Sequence, residues 1–317
     1  MQAQADASLY EVVWQADTEE PHIIGAQLGY LQDPSHSLNL AEARKRSADF
    51  TAHEARGVNL GYSSSAHWLR TTINNQSGKG RTLYWDTSYA FYDEITFFVV
   101  RSDGSIEETA LGDLRPFAQR PVNHRNFIFP FEVDADERVT IFVRIVSEEA
   151  IFMWPSLSEE TQLRDALTRD NFIMGLLYGI FAIMALFNLI LFFGTRDDAY
   201  LLYVIYIVVS GLDAFSLSGL GFQNLWSESP EFHNRSMSFF AALSAASGAH
   251  FFRIYLGTTT SSEPRGSQSP TAKIDRWLLR LGITSLAIVP ISLFAPVQLG
   301  NIAGSALMML LGLAGIV

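Results

Sequence analysis

The chain has 317 residues, 22 Lys/Arg against 33 Asp/Glu for a formal net charge of −11, and no cysteine. Disulfides, thiolate metal sites and cysteine nucleophiles are excluded, and no basic stripe exists to grip nucleic acid. The charge is uneven: residues 1–170 hold 15 Lys/Arg and 26 Asp/Glu, whereas residues 171–317 hold seven of each. A polar, acidic half precedes a neutral, strongly apolar one, so the chain is not wholly soluble.

The opening MQAQADASLY has neither a charged n-region nor an apolar h-region. It is therefore not a signal peptide. Ala3 and Ala5 resemble the small residues beside a cleavage site, and the expectation is a trimmed signal behind an added Met.

Residues 1–165 are expected to form one domain of short strands. Val139, Ile141, Val143 and Ile145 alternate with Thr140, Phe142 and Arg144; Phe127, Phe129, Phe131 and Val133 alternate in the same way, as do Ile95, Phe97 and Val99. In His67–Ile73 the inward set is Leu69, Thr71 and Ile73. Period-2 patterning with one apolar face predicts antiparallel sheets packed face to face. Turn signals at Asn74–Gly78, Asp103-Gly104 and Asp134–Asp136 separate the runs. About eight strands fit a jelly-roll-like β-sandwich. Only Leu40–Ala52 and Glu159–Arg169 read as helical, the second running on toward the membrane.

Residues 166–317 are expected to form a polytopic helical membrane domain. Phe172–Phe193 is 22 residues without a charge, enough at about 1.5 Å per residue to cross a hydrocarbon core of about 30 Å. Further spans are placed at about 200–222, 237–256, 278–297 and 299–317, the last still apolar where the sequence stops. Arg196, Arg253, Arg265, Lys273, Arg276 and Arg280 lie on one side of these spans, and Arg164, Arg169 and Arg235 on the other. Six against three places the 257–277 loop in the cytoplasm and residues 1–170 outside. Trp154, Trp226 and Trp277 fall near the expected interfaces. Gly219-Leu220-Gly221 and AALSAASGA (241–249) offer small faces for close helix packing.

Several stretches together carry a family resemblance. They are GAQLGYLQDPSHSLNLAEA, NLGYSSSAHWLRTTINN, LYWDTSYAFYDEITFFVVRSDGS, LGDLRPFAQRPVNHRNFIFPFEV, and the membrane opening GLLYGIFAIMALFNLILFFGTRDDAYLLYVIYIVVSGL. In this order they resemble the bacterial seven-transmembrane receptors with diverse intracellular signalling modules, in particular those with the type 2 extracellular domain. The resemblance implies a periplasmic jelly-roll sensor for carbohydrate or another small ligand, seven helices in the inner membrane, and a cytoplasmic output module. That module would be a diguanylate cyclase, a histidine kinase or a phosphatase. Five of the seven helices are expected within these residues, and no catalytic motif is present, so this stretch is read as non-enzymatic, without cofactor or metal. The expected partners are the lipid bilayer, an unidentified ligand and a second copy of the chain.

Trp85, Tyr89 and Tyr92 supply aromatic faces for sugar stacking, and Arg120 and Arg125 supply donors for a hydroxylated or anionic ligand. The plainer alternative is core aromatics and surface charges. Asn188, Asp213 and His250 are polar groups inside apolar runs, where polarity is costly and faces the bundle interior. Asn188 and His250 fall at similar depth, placed to hydrogen-bond across helices. The seven histidines lack metal-ligand spacing. A transporter or membrane-embedded enzyme using the intramembrane polar residues is the competing function, and a surface assembly protein is a third.

Overall fold

The computed structural model describes residues 10–15, 20–148, 150–258, 269–294 and 306–307. The chain divides into two compact units, residues 1–170 and 171–317.

The first unit contains strands β1 (Glu11–Trp14), β2 (His22–Ile23), β3 (Leu28–Asp33), β4 (Thr51–His53), β5 (Val58–Gly61), β6 (Ala66–Asn75) and β7 (Arg81–Asp86). They are followed by β8 (Glu94–Val100), β9 (Ile106–Leu111), β10 (Ile128–Val133), β11 (Arg138–Val146), β12 (Ile151–Met153) and β13 (Ser156–Ser158). A short helix α1 (Leu40–Lys45) sits between β3 and β4. The larger sheet has the order β4-β3-β6-β11-β8-β9, with β1 added in parallel to β6 beyond β3. The smaller sheet has the order β10-β7-β13-β2, and β12 pairs with β5. Among the described residues thirteen strands thus replace the expected eight or so, because the extra ones are only two to four residues long and carry too little alternation to be read.

The core lies between the sheets. Val139, Ile141, Val143, Ile145, Ile95, Phe97 and Val99 from the larger sheet meet Phe129, Phe131, Val133, Leu83 and Trp85 from the smaller. The expected one-sided apolar face needs correction. Trp68, Phe98, Val100 and Phe142 on the opposite face of the larger sheet, with Leu31 of β3 beside Trp68, are also buried and cluster with Tyr10, Ala43 and Phe50. The cover is the α1 segment. It starts with a capping box in which Asn39 accepts from the Glu42 amide and Glu42 accepts from the Asn39 amide. The expected helix over Leu40–Ala52 ends at Lys45, and Thr51–His53 joins the sheet as β4.

The second unit contains most of α2 (Glu160–Thr195), followed by α3 (Asp198–Leu217), α4 (Leu220–Asn224), α5 (Pro230–Tyr255) and α6 (Pro270–Phe294). The expected span over 200–222 is interrupted: Gly219 takes φ 78°, left-handed backbone open to glycine, and α4 starts after it. Among the described residues three helices, α2, α3 and α6, are long and apolar enough to cross a membrane. This is fewer than the five expected. The expected third span is α5, which is long enough but too rich in Ser, His, Asn and Arg to qualify by apolarity. The expected fifth lies almost wholly outside the described residues; only 306–307 are described, as helix. The small-residue stretch does pack closely: Ala242, Ala245 and Ala249 of α5 are fully buried with Leu281 of α6, and Gly282 faces the Ala249 methyl.

Candidate functional site

The first unit closes on a buried polar cluster, and chain geometry explains its position. β13 pairs antiparallel with β7, Ser156 opposite Asp86 and Ser158 opposite Tyr84. The chain therefore leaves β13 near the Arg81 end of β7. There Glu159 accepts from the Trp14 indole (3.3 Å) and the Arg81 guanidinium (3.0 Å). α2 then starts and turns back. Eleven helical residues from Glu159 to Asp170 advance about 16 Å, and five strand steps from Arg81 to Asp86 advance about the same. Asp170 thus arrives at the other end of β7, beside Asp86.

At that end one Arg125 guanidinium nitrogen straddles the Asp170 carboxylate, at 2.8 and 2.6 Å. His124 Nε2 lies 3.7 Å from the same carboxylate. His124 Nδ1 accepts from the Asn126 amide, which leaves any ring proton on Nε2, facing Asp170. The Asn126 side chain donates to Asp86, and so does the Ser88 amide at 2.6 Å. Ser88 takes φ 53° to make that turn. Asp86 is buried, and burial raises its pKa against the opposing pull of the Ser88 amide, His124 and Asn126. Arg120 stacks over Phe127 (4.0 Å) and Phe117 (4.7 Å) and donates to the carbonyls of His124 and Arg125. Burial pulls its pKa down to about 9, so it remains a cation at neutral pH. The cluster is an ionic clamp: the loop before β10 holds the third turn of α2 against the sandwich.

The sequence-chosen ligand residues fall differently from expectation. Trp85 and Tyr92 are fully buried core rings, and the Tyr92 hydroxyl donates to Phe152 O. Tyr89 is half-buried against them, its hydroxyl on Ala150 O. Arg120 and Arg125 come together, but in the clamp. Aromatic density alone does not separate a sugar platform from a core. The residue that sequence reasoning assigned elsewhere is Trp154. It was read as an interface tryptophan, yet it follows β12 in the first unit, 43% exposed, with its indole against Gly57 and beside Phe152.

In the second unit Asn188 gives its side-chain amide to Met184 O within its own helix. The expected bond to His250 is absent: His250 is exposed and lines a different groove, between α5 and α6. Asp213 is buried on α3. Among the described residues no group of three or more His, Asp or Glu converges on a metal-binding geometry.

An acidic β-sandwich followed in sequence by membrane-crossing helices defines a polytopic membrane protein with a folded domain ahead of its spans. The chain belongs to the 7TMR-DISM family. Residues 25–159 match the family model described as 7TMR-DISM extracellular 2, and residues 170–317 match 7TM diverse intracellular signalling. The N-terminal domain is thus extracellular, and both matched regions are sensory rather than catalytic. No curated protein matches the chain. A solved structure titled as TmCBM61 in complex with β-1,4-galactotriose is 13% identical, with a TM-score of 0.24, covering 43% of this chain and 90% of that one.

Proposed function

We propose that the protein is a receptor of the bacterial inner membrane. Its sandwich, in the periplasm, binds a small ligand, with carbohydrate the first class to test, and the helix bundle passes a change of state to an output module on the cytoplasmic side. The observation that carries this reading is the clamp. The helix leading to the first membrane span is tied to the sandwich at Glu159 and again at Asp170, with no Gly or Pro between. A ligand that alters the loop before β10 has a short mechanical route to α2. Trp154 is the aromatic face offered for stacking, since its ring is accessible while Trp85 and Tyr92 are enclosed.

The test has two arms. Thermal-shift screening of the outer domain against a glycan panel should give a ligand whose shift is lost in Trp154→Ala. A Gly-Gly-Ser-Gly insertion after Leu163 should leave ligand affinity unchanged and abolish signalling by the full-length receptor. Normal signalling through the insertion would overturn the helix route.

A further inference from the structure

Helices α5 and α6 leave a groove beside their seam, and its two ends differ in chemistry. The helices run antiparallel, since Gly282 faces the Ala249 methyl while Asp275 pairs with Arg253. One end of the groove is aliphatic, with Leu243 and Ala246 of α5 and Gly282, Ile283 and Leu286 of α6. Ile283 and Leu286 are exposed. The other end carries His250 and Arg253 of α5. Ten residues separate Leu243 from Arg253, about 15 Å along the helix. That is one leaflet of a hydrocarbon core about 30 Å thick.

The polar end is built to hold an anion. Asp275 fixes the Arg253 guanidinium, which donates from Nε at 2.9 Å and from Nη2 at 3.3 Å. Thr258 also donates to Asp275, at 3.0 Å. The Arg253 Nη1 bonds no described residue, so its N–H groups are held in place for a further acceptor. His250, exposed one turn away, offers another donor. Arg276 stands one turn before Leu279, which also lines the groove. Across 250–256 and 270–280 the cations are Arg253, Lys273, Arg276 and Arg280, against Asp275 alone. The described part of the apolar stretch that follows packs elsewhere. Leu307 clusters with Ala242, Ala245, Ala249 and Leu281, none of which lines the groove.

We propose that this groove binds an anionic phospholipid. The phosphate diester accepts from Arg253 and His250, and an acyl chain lies along Ala246, Leu243, Ile283 and Leu286. A zwitterionic lipid would bring its own cation against a surplus of positive charge, so the anionic class fits. The charge asymmetry of the loops reads this end as cytoplasmic, which makes the ligand a lipid of the inner leaflet. The site is independent of the sensing role proposed for the outer domain.

The experiment compares the full chain in nanodiscs of phosphatidylcholine with a rising fraction of phosphatidylglycerol. Wild type should gain about 3 °C or more in thermal unfolding, saturably, and native mass spectrometry should find phosphatidylglycerol retained in preference to phosphatidylcholine. Ala246→Leu fills the groove without touching a charge and should lower retention several-fold. Arg253→Gln combined with Asp275→Asn removes the guanidinium without stranding the carboxylate and should abolish the preference for phosphatidylglycerol. His250→Gln, at an exposed position, should weaken retention several-fold and keeps the test valid if the double variant does not fold. Equal stabilisation by phosphatidylcholine would overturn the proposal. So would a preference that survives all three changes, which would mean diffuse attraction to basic helix ends. An equal rise with soluble glycerol phosphate would overturn it as a free-anion effect.

Discussion

Replacing Asp170 by Asn keeps the side chain's shape and removes its charge, so it isolates the clamp. The partner side chains are 10% exposed at Arg125 and 32% at Asp170. Exposed pairs contribute about 0–1 kcal/mol, and breaking a buried pair costs about 3–5 kcal/mol because one charge is stranded. This pair lies between those limits, and Asn still accepts one hydrogen bond from Arg125, so the expected loss is about 2 kcal/mol. The loss is local, because it frees the third turn of α2 without opening the core. At about 1.4 kcal/mol per tenfold, amide protection across Glu160–Asp170 should fall about 30-fold. Hydrogen exchange by mass spectrometry on the full chain reads that segment directly, and the amides of β6, β8 and β11 serve as an internal control. Glu159→Gln should have a smaller effect, since the Arg81–Glu159 pair is 25% exposed on both sides. A fall under threefold at Glu160–Asp170, or a coupling under about 0.5 kcal/mol in a double-mutant cycle with Arg125→Gln, would refute the clamp.

Burial raises the Asp86 pKa above the ordinary carboxylate value; its contribution to stability is therefore full below about pH 3.9 and is lost as pH rises through the folded value. Asp86→Asn should remove that slope, so urea midpoints of wild type minus variant should fall from pH 4 to 8; a flat difference would contradict the burial assignment. A methyl on Gly25 would overlap the Arg56 carbonyl, so Gly25→Ala should lower outer-domain stability by about 1–3 kcal/mol in denaturant unfolding. A cysteine at position 266 of this thiol-free chain should be labelled only after cytoplasmic access, and labelling from the outside would reverse the orientation.

The sequence by itself determined the elements whose pattern is local and repeated. Alternation in β6, β8, β10 and β11 marks the faces that build the core, because a strand's side-chain period is two and burial selects one parity. Unbroken apolarity over Phe172–Phe193 marks a helix that lipid accepts, and the family's motifs are local as well. What the sequence left open depends on which segments meet. Phe142 and Trp68 lie on the parity opposite the core, and only the placement of α1 over that face makes them buried. Asn75-Gln76-Ser77 matches a glycosylation acceptor only as a chance-level pattern, and in the fold the Asn75 amide is enclosed and donates to Lys79 O, Val133 O and Asp134 O. Trp85 and Trp154 are both tryptophans in aromatic runs; one is core and one is surface because β7 lies inside the smaller sheet, whereas Trp154 follows β12 and rests its indole against Gly57. Arg125 and Asp170 are 45 residues apart, and no spacing rule joins them. Their contact follows from the reversal between β13 and α2, in which a helix rising about 1.5 Å per residue and a strand rising about 3.3 Å cover the same length of sheet.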